Sequence, residues 1–168
     1  MAQFPFGFGL SYTTFQVSDP SLSTLRLHAA TPDAVAGASV TVTNTGSVTG
    51  DEVVFLWKKS SAPAVAWAAK VGQPTPVVPN KELIGFDRVT LAPGASTVVH
   101  FNVTAAKLTT VDEFGTRAVL PGVHTLLMSR GHGEVLSLDV AVTVESDRLV
   151  ISDMVGLFDQ TAADLGLE

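Results

Sequence analysis

In several short segments of the chain apolar and polar residues alternate with a period of two, and apart from the C-terminal end no segment repeats apolar residues at i, i+3, i+4 and i+7. Successive side chains of an extended strand point to opposite faces, so this pattern predicts half-buried β-strands. Val40 and Val42 alternate with Ser39, Thr41 and Thr43, and Asn44-Thr45-Gly46 then supplies turn chemistry, since Asn and Gly tolerate positive φ. After the Ala92-Pro93-Gly94 turn, Val99, Phe101 and Val103 alternate with Val98, His100 and Asn102. Glu52 to Trp57 is apolar on both faces, as expected of a strand covered on both sides or crossing a thick core. Further strands are expected at Tyr12–Val17, Leu22–His28, Lys81–Phe86, Val123–Met128 and Glu134–Glu145, the last with Leu136, Leu138, Val140, Val142 and Val144 on one face. Ser129-Arg130-Gly131-His132-Gly133 joins the final two strands as a hairpin loop.

Strands at this spacing, seven or eight of them, predict an all-β fold, an antiparallel β-sandwich of two packed sheets. Phe55, Trp57, Val99, Phe101, Leu126 and Leu138 are expected to be mutually buried between the sheets. Residues 1–11 read as a linker segment, 12–146 as the sandwich with an inserted proline-bearing loop at 60–78, and 147–168 as a tail outside it. The tail is expected to carry one short helix near Thr161 to Leu165, weakly capped by Asp159.

Composition narrows the function. Charged residues make up only 15% of the 168, below the usual share of about a quarter, which fits a surface partly covered by something else. The formal charge is −6 and no run of Lys or Arg exists to follow a phosphate backbone, which argues against nucleic acid as a partner. There is no cysteine, hence no disulfide framework or thiolate zinc site. No stretch reaches the roughly 18 apolar residues of a membrane span, and Met1-Ala2-Gln3-Phe4-Pro5 has neither a basic nor an apolar region of the kind that opens an export signal.

Phe4-Pro5-Phe6-Gly7-Phe8-Gly9-Leu10-Ser11-Tyr12-Thr13-Thr14-Phe15 closely resembles the segment that leads from the second catalytic domain into the C-terminal fibronectin type III-like domain of glycoside hydrolase family 3 enzymes. The resemblance continues in order through Val40 to Gly46, Gly50 to Val54, Pro79 to Val89 and Leu91 to Gly94. Leu108 to Arg117, with Gly122 to Leu126, resembles the β-xylosidase and α-L-arabinofuranosidase branch more than the β-glucosidase branch. The match covers residues 4 to about 144 and leaves out the 60–78 loop and the tail. It implies a fibronectin type III-like sandwich packed as an accessory domain against the catalytic domains of a family 3 glycosidase, in cis or as a separate chain, in an extracellular or cell-wall setting. The family's nucleophilic aspartate and acid/base glutamate sit in domains preceding this segment, and neither domain lies within these 168 residues. The nucleophile's Ser-Asp-Trp context is also missing: Ser18-Asp19, Ser146-Asp147 and Ser152-Asp153 are followed by Pro20, Arg148 and Met154. The expectation is therefore a non-catalytic chain with no cofactor, seen as a fragment or a separately encoded piece. The alternative is a free-standing carbohydrate-binding or protein-interaction module.

The side chains offer few chemical candidates. Asp51-Glu52 and Asp112-Glu113 are neighbours that point to opposite faces, so each pair reads as solvated turn residues rather than as an acid/base couple. His28, His100, His124 and His132 show no metal-ligand spacing. His124 follows Pro121-Gly122 by two residues, where such sandwiches place a tyrosine that bonds back to the chain, and it reads as a structural histidine. Candidate sugar or domain contacts are Phe4, Phe6 and Phe8 in the opening segment, Trp67 in the inserted loop, and Arg130 with His132 in the hairpin loop. Asn102-Val103-Thr104 is an N-glycosylation sequon.

Overall fold

The computed structural model describes residues 4, 6–23, 26–28, 35–59, 79–111, 116–131, 135–143 and 149–153. Its strands are β1 (Phe15–Leu22), β2 (Arg26–His28), β3 (Val35–Asn44), β4 (Gly50–Lys59), β5 (Lys81–Leu91), β6 (Ser96–Thr104), β7 (Thr110–Val111), β8 (Thr116–Val119), β9 (Gly122–Ser129), β10 (Val135–Thr143) and β11 (Leu149–Asp153). Two sheets, β1-β3-β6 and β2-β10-β9-β4-β5, form the sandwich, and a small third sheet has the order β11-β8-β7. Neighbouring strands pair antiparallel apart from the three-residue parallel contact of β2 with β10. Among the described residues no helix is long and apolar enough to cross a membrane.

The period-two pattern translates directly into packing. β3 is buried at Ala36, Ala38, Val40, Val42 and Asn44, and β6 at Val99, Phe101 and Val103. They meet Val54 and Leu56 of β4, Leu126 and Met128 of β9, and Val140 and Val142 of β10 in one hydrophobic core. Phe101 lies over Gly85 of β5, where an added Cβ would come within 3.3 Å of its ring. Leu136 and Leu138 pack at the margin of this core and are only partly buried, because β10 is the last full-length strand before the short β2 at that edge.

The phase within β4 differs from expectation. Val54 and Leu56 take the interior, so Phe55 and Trp57 lie outside the sandwich core, joined ring to ring at 5.8 Å. A register shift between Leu56 and Trp57 then brings the Lys58 ammonium inside, where it donates to the Thr109 carbonyl at 2.5 Å and pairs with Glu82. The opening strand also begins later than expected. Tyr12 to Thr14 precede β1, and the expected strand at 22–28 is split between the end of β1 and β2. Asp19, at φ 52°, and Pro20 stand at a register shift between Ser18 and Ser21, and Pro20 has no N–H for the ladder.

Asn44 does not adopt the positive φ that its turn-like sequence suggested, and neither does Gly46. Asn44 is fully buried and its amide fastens a corner: Oδ1 accepts from the Thr13 hydroxyl at 2.7 Å and the Gly46 N–H at 3.0 Å, and Nδ2 donates to the Val48 and Leu91 carbonyls at 2.8 Å each. Gly46 is required by close approach, since a Cβ there would fall 2.2 Å from the Thr13 hydroxyl oxygen.

Two further differences concern the C-terminal third. The pairs of β7 with β8 and β8 with β11 form a sheet that the alternation did not reveal, and β11 lies within the residues read as a tail. The helix expected near 161–165 and the inserted loop at 60–78 lie outside the described residues.

Candidate functional site

The opening segment and the outer face of β4 and β5 come together. Phe6 meets Phe55 edge-on at 5.6 Å and Trp57 at 5.5 Å, while Phe4 stacks on Phe8 at 4.9 Å. The Lys81 ammonium lies 4.2 Å from the Trp57 ring centre, and the indole N–H donates to the Ser129 hydroxyl at 3.1 Å. Trp57 is thereby buried outside the core, with the rings of Phe6 and Phe55 and the Lys81 ammonium packed around it.

Glycines allow this crossing. Gly7 has φ +79°, and its carbonyl passes so close to Gly131 that a Cβ there would sit 1.6 Å from the oxygen. The cover is thin, however. Phe6 remains 66% exposed, Leu10 and Tyr12 are almost wholly exposed, and Phe86, register partner of Phe55 on β5, is exposed as well. The result is an open apolar surface running from the opening segment onto β5.

Beside it lies a polar rim. Asp51 pairs with Arg88 and accepts from the Thr90 hydroxyl at 2.6 Å. The Thr90 hydroxyl, and after it the Arg88 guanidinium, hold the Asp51 carboxyl below its ordinary value. Glu52 pairs with Arg130 at 3.0 Å, both side chains being about 15% exposed. Between this rim and the opening segment is a slot of about 250 Å³, with Gly7, Gly9, Leu10 and Ser11 on one side and Asp51, Glu52, Phe55 and Arg88 on the other.

Of the residues singled out in the sequence, Phe4, Phe6 and Phe8 converge with Arg130 around this surface, Arg130 through Glu52 and the neighbouring Gly131. Trp67 and His132 lie outside the described residues, as do Asp112 and Glu113. Asn102 is exposed on β6, in the opposite sheet. Asp51 and Glu52 are not solvated turn residues: they belong to β4 and each carries its own guanidinium. Sequence reasoning missed Phe55, Phe86 and Arg88. The signal was the strand phase, since once Val54 and Leu56 face inward the odd positions of β4 and their partners on β5 must share the other face.

Away from the surface, His124 is 2% exposed and its Nε2–H donates to the Leu120 carbonyl at 2.9 Å. Burial pushes its pKa below the ordinary 6.5; the Leu120 bond opposes this, and the nearby Lys58 charge adds to it. It is therefore a neutral structural group, bonded back four residues along the chain as a corner tyrosine would be.

The described strands form a fibronectin type III-like sandwich, and residues 67–131 match the Fn3-like family, described as a fibronectin type III-like domain. Its relatives are glycosidases. A β-xylosidase from Formosa agariphila is 37% identical over 123 residues, 73% of this chain and 15% of that protein. A probable β-glucosidase I from Aspergillus clavatus is 47% identical over 109 residues, 64% of this chain and 12% of that one. Among solved structures, a β-glucosidase from Erythrobacter marinus superposes with a TM-score of 0.69 at 27% identity, over 83% of this chain and 17% of its own. The chain thus spans less than a sixth of the length of these curated relatives, and it is similar to the fibronectin type III-like domain of family 3 glycoside hydrolases. Relatives come from both the xylosidase and the glucosidase branch.

Proposed function

We propose that this chain serves as a non-catalytic accessory domain of a family 3 glycosidase, of the β-xylosidase type acting on xylan or arabinoxylan oligosaccharides, and that it docks on the catalytic domains through its aromatic opening segment. The observation that carries this reading is the half-covered aromatic face. Phe6 is held by Phe55 and Trp57 on one side and bare on the other, and Phe4, Phe8, Leu10, Tyr12 and Phe86 extend the apolar surface around it. Ordinary monomers rarely expose contiguous apolar patches beyond roughly 300–600 Å², and larger ones mark interaction sites. Cleavage of a glycosidic bond belongs, on this reading, to paired carboxylates of the partner domains. Asn102, exposed on the opposite sheet, would stay clear of the docking face if glycosylated.

Two measurements test the proposal. The chain alone is expected to bind a hydrophobic dye or self-associate in sedimentation, and replacing Phe4, Phe6 and Phe8 with Ser should reduce this with little change in melting temperature. A strictly monomeric, dye-silent chain at high concentration overturns the docking reading in favour of a free-standing module. The chain is also expected to leave nitrophenyl β-xyloside, α-arabinofuranoside and β-glucoside uncleaved; turnover that disappears on changing one of its own acidic residues sinks the accessory reading.

A further inference from the structure

The slot beside the aromatic face has a chemistry of its own. Its two carboxylates are each matched by a guanidinium, Asp51 by Arg88 and Glu52 by Arg130, so it offers no uncompensated charge to an ion of either sign. Yet it is rich in hydrogen-bonding capacity. Arg88 is largely exposed and uses one nitrogen on Asp51, which leaves donors of its fixed fork facing outward next to the Asp51 oxygens. Ser11 adds a hydroxyl, and Phe55 and Leu10 supply apolar wall. Below this rim, the Arg130 Nε is the one buried side-chain polar atom among the described residues without a hydrogen-bond partner, one ion pair away from the slot through Glu52.

The geometry points to this slot as a binding site for a neutral saccharide, one sugar ring of an oligosaccharide seated between the opening segment and the Asp51–Arg88 pair. A sugar hydroxyl both donates and accepts, and vicinal hydroxyls match a carboxylate set beside a guanidinium, whereas an anion would face Asp51 and Glu52 and a cation would face Arg88. The C–H face of the ring lies against Phe55, as apolar ring faces do on aromatic walls. At about 250 Å³ the slot falls just under the roughly 300–1,000 Å³ of drug-sized pockets, a scale for one ring with the rest of the oligosaccharide in solvent. The site is built wholly from this chain and does not rest on the docking reading, although it shares Leu10 and Phe55 with that face.

The test is an amide-resolved NMR titration of the chain with xylotriose and with cellotriose. Shifts confined to Gly7, Gly9, Ser11, Asp51 and Arg88 are expected, with a Kd of about 0.1–10 mM. Arg88→Ala and Asp51→Ala, changes at exposed side chains, should each weaken binding about tenfold or more while leaving the melting curve nearly intact. No shift with either sugar, or shifts that persist unchanged in both variants, overturns the site. Dye binding reports docking separately: sugar silence with dye binding retained removes the slot alone, and the reverse removes docking alone.

Discussion

The two faces of β4 carry side chains of the same kind and meet opposite fates. Val54 and Leu56 are sealed between the sheets with no exposed surface, surrounded by residues from β3, β6, β9 and β10. Phe55 and Trp57, one position out of phase, have larger rings, and beyond each other their cover comes from Phe6, Gly7, Lys81 and Ser129. The interior is closed by strands of both sheets of the same chain, the outer face by one crossing segment. Apolar area alone therefore does not tell where a residue serves stability and where it serves contact. What distinguishes the two is whether the chain itself supplies the second layer.

The contrast breaks most visibly if the inner face is opened. Phe101→Ala removes a ring packed over Gly85 and should cost about 3–5 kcal/mol, read as a shift in denaturant midpoint. A loss under about 1 kcal/mol would show that the closed face contributes no more than the open one. Asn44→Ala comes next. It strands the Val48 and Leu91 carbonyls and frees the Thr13 hydroxyl and Gly46 N–H, so a loss of about 2–4 kcal/mol is expected even though no apolar contact is removed.

These two residues also show what could be read in advance. The sheets, the inward set of β3 and β6 and the turn before β6 follow from period-two alternation, because burial on one side of a pleat leaves no other choice. Asn44 was legible as a strand end, but not as a fourfold amide anchor, since its partners are 13, 46, 48 and 91 and only folding brings them together. β4 was ambiguous for a physical reason: a strand apolar on both faces has no phase of its own, and the interior went to the smaller aliphatic pair. In the candidate site the aromatics of the opening segment were legible from their motif. The slot was not, because Asp51 and Glu52 acquire their guanidiniums from β5 and from the residue that follows β9, 37 and 78 residues away.

A gentler perturbation acts on the interior through pH. His124 is neutral when folded, its pKa depressed below 6.5 by burial, whereas the unfolded chain takes up a proton near that value. Its contribution is thus fully present above pH 6.5 and is lost as pH falls from there through the depressed folded value. The nearby Lys58 charge adds to the penalty of burial, while the Leu120 bond offsets part of it. Melting temperature should fall between neutral and mildly acidic pH, and His124→Gln, which cannot titrate, should flatten that part of the curve while lowering stability at pH 7. An equally steep limb in the variant would take the effect away from His124; Asp51, held below the ordinary 3.8, gives up its contribution only at lower pH.

The smallest effect on stability, and the sharpest test of the outer face, comes from two alanines on glycines. Gly131→Ala places a methyl group 1.6 Å from where the Gly7 carbonyl oxygen lies, so either the crossing segment or the hairpin loop must move. The sandwich core has no part in that contact, and the melting temperature should change far less than in Phe101→Ala. Phe6, by contrast, is carried by the same segment and should leave Trp57, which would appear as a shift of the Trp57 indole N–H resonance and a change in dye binding. Gly9→Ala is the control, since a Cβ there meets nothing within 4 Å, and its indole signal should stay in place. If Gly131→Ala also leaves that signal unmoved, the crossing does not seat Phe6, and the outer aromatics hold together through β4 and Lys81 alone.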